Sequence, residues 1–161
     1  MRRKVAYFGV FVALALIFSY VEALIPIPLG IPGVKLGLAN LMTVITLYKM
    51  GGKEAFVLSL LRITLSGFLF GSMFGIVYSF AGGLLSLCVM ALLKQTQKFS
   101  IIGVSMAGGV SHNIGQLIMA IIVLESISIV YYVPVLIISG MLTGIIIGII
   151  SSETLKRIKR V

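Results

Sequence analysis

A few polar side chains interrupt long apolar stretches, and these are the residues that could do chemistry. Arg62 lies near the middle of an apolar stretch from Glu54 to Phe70. A charged side chain at the centre of a bilayer costs about 2.5–3.5 kcal/mol or more, so it should face a partner or a wet cavity. A guanidinium offers parallel hydrogen bonds to a carboxylate or phosphate. Arg62 therefore indicates an anion-accepting site, with pairing to Glu22 or a backbone carbonyl as the alternative.

A second polar group lies in the apolar stretch from Ser100 to Leu124. His112 and Gln116 are four residues apart and share one helix face, which Asn113 borders. Such residues also serve as hydrogen-bonding contacts between membrane helices. His112 and Glu22 could in principle carry out acid–base chemistry, but no nucleophile or metal-ligand motif accompanies them.

The acidic and sulfur-containing residues limit the chemistry further. The chain has no aspartate, four glutamates and one cysteine, Cys88, which lies in an apolar stretch. A disulfide within the chain and a multi-cysteine metal site are therefore excluded. Magnesium needs hard oxygen ligands, usually carboxylates. We expect no metal, no cofactor and no catalytic activity.

The composition predicts the elements that must position these residues. Of the 161 residues, 60% are apolar and 11% charged, and the mean hydropathy is +1.20. Soluble domains carry roughly 25% charged residues, so this chain cannot cover a soluble surface. At roughly 20 residues per span, the length allows about six membrane helices and no soluble domain. We expect an all-α integral membrane bundle forming one domain over residues 1–161.

Proline, glycine and charged residues divide the chain into helices. The apolar stretch that follows the N-terminal basic residues is too long for a signal peptide, so we interpret it as the first helix. A proline-rich segment, Pro26–Gly33, ends it. Loops are expected at Lys94–Lys98 and Glu125–Val133, and a basic tail after Ser151. The predicted helices cover about residues 5–25, 35–48, 54–70, 73–93, 100–124 and 134–151.

The net charge of +9 has a distribution that favours a membrane over a nucleic acid. The basic residues form short clusters at both termini and in the second and fourth loops, rather than one patch. With six helices, all four clusters fall on one side. The positive-inside rule then assigns both termini to the cytoplasm, as expected for a multi-pass protein of the cell membrane.

The predicted topology brings the polar residues to one depth. Helices running in alternating directions place them between the midplane and the outer surface, which is typical of a cavity that opens outward. Pro26–Gly33 could gate it. The candidate ligand-binding residues are Arg62, His112, Asn113, Gln116, Glu22, Asn40, Lys35, Ser66 and Ser139.

Small residues on the first helix indicate a packing face. Gly9 and Ala13 are four residues apart, a spacing that allows another helix to approach closely. The face could serve internal packing or a partner subunit.

Three stretches resemble a known family: Pro28–Asn40 (PLGIPGVKLGLAN), Arg62–Ser72 (RITLSGFLFGS) and Ser111–Gln116 (SHNIGQ). The chain resembles the bacterial Gx transporter family, often labelled heptaprenyl diphosphate synthase component I. That family is similar to the substrate-binding (S) subunits of energy-coupling factor transporters. The resemblance implies six helices, cytoplasmic termini and a ligand site near the outer surface. It also implies contact with the transmembrane coupling subunit through Gly9 and Ala13, and hence an ATPase partner.

The synthase label does not fit the residues. Chain-elongating prenyl synthases hold diphosphate through magnesium on two Asp-rich motifs, and this chain has no aspartate. The resemblance implies another origin for the label, namely genes of quinone prenylation that lie near those of the family, and it also implies a link to extracellular electron transfer, in which related proteins are implicated. Two hypotheses remain: a binding and transport protein, or a non-catalytic membrane accessory of isoprenoid, quinone or electron-transfer metabolism.

Overall fold

The computed structural model describes residues 2–24 and 37–158, without the side chains of residues 2 and 3. The described part is all-helical, with six α-helices and one short 3-10 helix, Ile127–Tyr132, and it contains no strand. The α-helices are α1 (Arg2–Leu24), α2 (Leu38–Lys49), α3 (Gly52–Phe70), α4 (Met73–Thr96), α5 (Ile101–Leu124) and α6 (Val133–Arg157).

Four of these helices are long and apolar enough to cross a membrane. They are α1, α4, α5 and α6, the last together with the short helix before it. Exposed apolar side chains cover them, including Ile17 on α1 and Leu92 on α4. A surface of this kind would not be stable in water, so the fold is that of a membrane protein.

The second helix is short and enclosed. Its 12 residues rise about 18 Å at 1.5 Å per residue, well under the hydrocarbon thickness of about 30 Å. Residues Leu41 to Leu47 are all buried. A short helix within a membrane protein is stable when protein surrounds it in this way.

The helices form a ring around a cavity. Each helix from α2 to α5 contacts the next helix along the chain, and α6 contacts α2, which closes the ring. The first helix packs outside the ring against α2 and α3. Apolar side chains from all six helices form one buried core cluster, which includes Phe11, Leu47, Leu58, Met90, Val104 and Ile147.

Lysine side chains hold several helix ends together at one end of the bundle, which we call the basic end. Carbonyls at helix C-termini lack partners within the helix and attract cations. The contacts are Lys49 Nζ to the Ile158 carbonyl (2.9 Å), Lys94 Nζ to the Leu47 carbonyl (2.5 Å) and Lys4 Nζ to the Glu54 carboxylate (2.5 Å).

Glycines bring α5 and α6 into backbone contact. A Cβ atom at Gly109 would overlap the Gly140 carbonyl oxygen, and one at Gly144 would lie 2.6 Å from the Met106 Cα. Small residues at helix interfaces let membrane helices approach closely. This packing makes α5 and α6 a tight pair along much of their length.

Some predicted boundaries were wrong. Lys94–Thr96 belong to α4 rather than to a loop, and the helix ends where Gln97 takes a left-handed conformation (φ 55°). The basic tail begins inside α6, which continues to Arg157 because Ser151 is fully buried and Leu155 packs on the core. Cations in a last helical turn also suit the helix dipole.

Two further boundaries differ from the prediction. The expected loop Glu125–Val133 contains the 3-10 helix. The second helix begins at Leu38, after Gly37 in a left-handed conformation (φ 71°). The predicted start at Lys35 and the segment Pro26–Gly33 lie outside the described residues.

The close contact of α5 with α6 predicts an asymmetry between two glycines of α5. Gly109→Ala should lower the melting temperature in detergent by about 2–12 °C, because overpacking costs about 1–3 kcal/mol. Gly103→Ala is the matched control, since its Cβ would meet only ordinary contacts at 3.7 Å and beyond. Equal melting temperatures for the two variants would contradict this packing.

Candidate functional site

A polar cavity of about 120 Å³ lies inside the ring. Side chains from all six helices reach it, and seven of the nine residues proposed from the sequence line it. These are Glu22, Asn40, Arg62, Ser66, His112, Asn113 and Gln116. The helical spacings thus bring together residues that are up to 94 positions apart in the chain (116 − 22).

Arg62 is the buried cation of this cavity. Its residue surface is 8% exposed, and its Nη2 donates to Asn40 Oδ1 at 3.2 Å. Its Nε is buried and has no hydrogen-bond partner among the described residues. The partner is therefore a neutral amide, not the Glu22 carboxylate or the backbone carbonyl considered from the sequence.

Glu22 links the outer helix to the ring. One oxygen of its carboxylate accepts a hydrogen bond from the Gly37 backbone N–H at 2.5 Å. This contact joins the end of α1 to the start of α2, where the left-handed Gly37 precedes the helix. Glu22 interacts electrostatically with Arg62, but the two described side chains form no ion pair within 4 Å.

Two adjacent glycines of α4 bring the walls of the cavity together. A Cβ at Gly82 would lie 2.7 Å from Gln116 Cγ and 3.2 Å from His112 Cε1, while one at Gly83 would meet Ile63 of α3. The fourth helix therefore has no side chains at these two positions, which lets α3 and α5 approach it closely. The predicted shared face of His112 and Gln116 packs against Gly82 and borders the cavity.

Asn113 is fixed by the last helix. Its Nδ2 donates to the Leu136 carbonyl at 2.8 Å and to Ser139 Oγ at 3.2 Å. The Ser139 hydroxyl in turn donates to the same carbonyl at 3.1 Å. Ser139 is not among the cavity-lining residues, and it orients Asn113 from behind.

The remaining proposed residues differ in position. Ser66 lines the cavity, with its hydroxyl 3.5 Å from the Ile63 carbonyl. Lys35 lies outside the described residues. Gly9 and Ala13 are exposed on α1, and a Cβ at Gly9 would meet no atom within 4 Å.

Several hydroxyl groups of the cavity were not predicted from the sequence. These are Ser19, Ser72, Ser79, Ser86, Ser105 and Thr143. Serine is common in membrane helices, so residue type alone gives no signal. The spacing of the residues does give a signal. Ser79 and Ser86 are seven residues apart, as are Ser105 and His112, and two helical turns return to the same face.

The described residues contain no group of three His, Cys, Asp or Glu side chains that could hold a metal ion. The described lining of the cavity instead offers one guanidinium, one carboxylate, one imidazole, amides and hydroxyls. Such groups can bind and orient a polar molecule.

An apolar helical bundle with a polar internal cavity defines a membrane protein with a candidate small-molecule site. Residues 11–154 match the family model described as heptaprenyl diphosphate synthase component I, so the chain belongs to that family. No curated protein gives a significant match to the chain. No solved structure gives one either.

The Arg62–Asn40 contact predicts how stability depends on residue 40. Asn40→Leu removes the acceptor of a buried cation, which costs about 1.5–3 kcal/mol and should lower the melting temperature by about 3–12 °C. Asn40→Asp keeps the size and offers a carboxylate in the same place, so it should melt well above Asn40→Leu. A leucine variant as stable as the wild type would contradict the contact.

Proposed function

We propose that the protein binds a small anionic or amphipathic molecule from the outer side of the membrane and helps to move it across, as a relative of energy-coupling factor S subunits. The observation that carries the proposal is Arg62, buried on the wall of a polar cavity without an ion-pair partner among the described residues. Burying a charge without compensation is costly, and an anionic guest would relieve that cost.

The proposal includes six spans with both termini in the cytoplasm. The contacts of the basic end support it, because Lys94 reaches the end of α2 and Lys49 reaches the end of α6. The turn between α2 and α3 is thereby on the same side as the ends of α4 and α6. Cytoplasmic loops carry an excess of lysine and arginine, which orients this side inward.

Cysteine labelling distinguishes six spans from four. If only the four long helices crossed, the turn near Lys53 would lie outside, whereas Gln97 would stay inside and Ser126 outside in either case. In a Cys88→Ser background, Lys53→Cys should react with a membrane-impermeant maleimide in permeabilised cells and not in intact cells. Gln97→Cys and Ser126→Cys are the inner and outer controls. Labelling of Lys53→Cys in intact cells would contradict six spans.

We propose no catalytic role. The sequence has no aspartate, so the Asp-rich magnesium motifs of chain-elongating synthases cannot be formed by this chain. The family description names a component, which is consistent with a subunit that acts beside others.

A second candidate function is a non-catalytic membrane accessory of isoprenoid or quinone metabolism, or of extracellular electron transfer. The exposed face of α1 around Gly9 and Ala13 favours it, since no described residue covers that face. The same face would suit the transmembrane subunit of an energy-coupling module, which in turn engages ATPase subunits. The two functions differ in whether the cavity matters.

Two variants separate these functions. Arg62→Ala should remove a copurifying small molecule in native mass spectrometry while the protein remains folded, and Gly9→Leu should retain it. In the accessory role, partner proteins should copurify with Arg62→Ala and be lost with Gly9→Leu. A small-molecule complement that is unchanged by Arg62→Ala would count against the binding function.

A further inference from the structure

We propose that the cavity recognises a compact carboxylate that carries a hydrogen-bond donor, such as a hydroxyl or an amine, at the end remote from its charge. The inference rests on the proposed binding function and specifies the class of molecule. Three properties of the cavity carry it: unused donors on Arg62 and Asn40, which we call the donor pole; a small net charge; and an unused acceptor on Asn113, which we call the acceptor pole.

The donor pole is formed by Arg62 and Asn40. A guanidinium has five N–H donors, and among the described residues Arg62 makes one hydrogen bond, to Asn40 Oδ1. Because Asn40 uses its oxygen in this bond, its Nδ2 remains a donor, and it bonds to no acceptor that the structure describes. A planar two-oxygen anion matches donors arranged in this way.

The charge balance favours a carboxylate over a phosphate. Of the ionisable side chains that the structure describes at the cavity, Arg62 is positive, Glu22 is negative and His112 is neutral in the formal charge at pH 7. A phosphate monoester carries about −1.5 to −2 charges at pH 7, and a diphosphate carries more. A single guanidinium with a carboxylate beside it compensates one negative charge on a bound molecule far better than the two or three charges of a phosphate or diphosphate.

The acceptor pole lies on α5. Both amide hydrogens of Asn113 are directed to α6, onto the Leu136 carbonyl and Ser139 Oγ. Its Oδ1 is therefore left as an acceptor, and it receives no hydrogen bond from the described part of the chain. A hydroxyl or an ammonium group of the bound molecule would satisfy it. Arg62 on α3 and Asn113 on α5 both line the cavity, so one molecule bound in it can contact both.

The volume sets the size of the enclosed part. A cavity of about 150 Å³ holds benzene, so the 120 Å³ found here suits a molecule, or the end of one, of roughly that size. A heptaprenyl chain of seven isoprene units is far larger. The cavity therefore cannot enclose the hydrocarbon of the product that the family description names.

The first experiment identifies the class from the protein itself. Wild type, Arg62→Gln and Lys53→Gln are purified from the same cells and denatured, and the released molecules are compared by high-resolution mass spectrometry. Molecules reduced about tenfold or more in Arg62→Gln but not in Lys53→Gln are methyl-esterified and deuterium-exchanged. We expect one esterified group, at least one further exchangeable hydrogen and no phosphorus. If Arg62→Gln does not fold, Asn40→Asp replaces it, because its carboxylate occupies the donor pole.

The outcomes separate the two proposals. A depleted molecule that contains phosphorus, or that has no esterifiable group, overturns the carboxylate assignment and leaves the binding function standing. If no molecule depends on Arg62, the binding function fails, and the carboxylate assignment fails with it.

A second experiment tests the charge balance with defined probes. The melting temperature is measured with 3-hydroxybutyrate, butyrate and 2-hydroxypropylphosphonate, which differ in the remote hydroxyl or in the anionic group. The melting temperature of the wild type should rise most with 3-hydroxybutyrate. Glu22→Gln keeps an oxygen for the Gly37 N–H and removes the negative charge. The rise in melting temperature with the phosphonate should therefore increase relative to the rise with the carboxylate. A wild type that prefers the phosphonate, or responds to none of the probes, contradicts the assignment.

Discussion

A guanidinium enclosed by membrane helices is the constraint on which the rest of this structure depends. Arg62 is nearly fully buried, and its one hydrogen bond to a described residue goes to a neutral amide. A charge enclosed in this way is costly, so it needs an environment of polar groups or a counter-ion. The polar cavity provides the first, and a bound anion would provide the second. The enclosure of α2 and the hydrogen bond from the Gly37 N–H, just before α2, to Glu22 of α1 both help to form the polar environment of Arg62.

Close packing between the ring helices shapes the cavity, which Gly109 of α5 and Gly144 of α6 also line. Glycines let α5 and α6 touch through their backbones. The pair Gly82–Gly83 leaves α4 without side chains between α3 and α5, so both helices approach it closely. Polar residues on α5 therefore come within reach of the same space as Arg62 on α3. At the basic end, lysines bind the carbonyls at the C-terminal ends of α2 and α6. A buried apolar cluster with members from all six helices packs the bundle together.

The sequence predicted the helices and most of the cavity because both follow from strong local signals. A charged residue in an apolar stretch must face inward, and a spacing of four residues fixes a shared face, so Arg62, His112 and Gln116 could be assigned. The partner of Arg62 could not be assigned, because the sequence suggested Glu22 or a backbone carbonyl, and only tertiary packing brings Asn40 to the guanidinium. The role of Ser139 behind Asn113 depends on a contact between two helices, and the extension of α6 to Arg157 depends on the burial of Ser151. Neither has a signal in the local sequence.

The most direct test of the central claim is an experimental structure of the protein purified in lipid with no ligand added. We expect density for a small molecule in the cavity, within hydrogen-bonding distance of the Arg62 guanidinium. Asn40 Oδ1 should still accept its hydrogen bond from Arg62 Nη2. An empty cavity with Arg62 in a direct salt bridge to Glu22 would contradict it, because the buried cation would then need no guest.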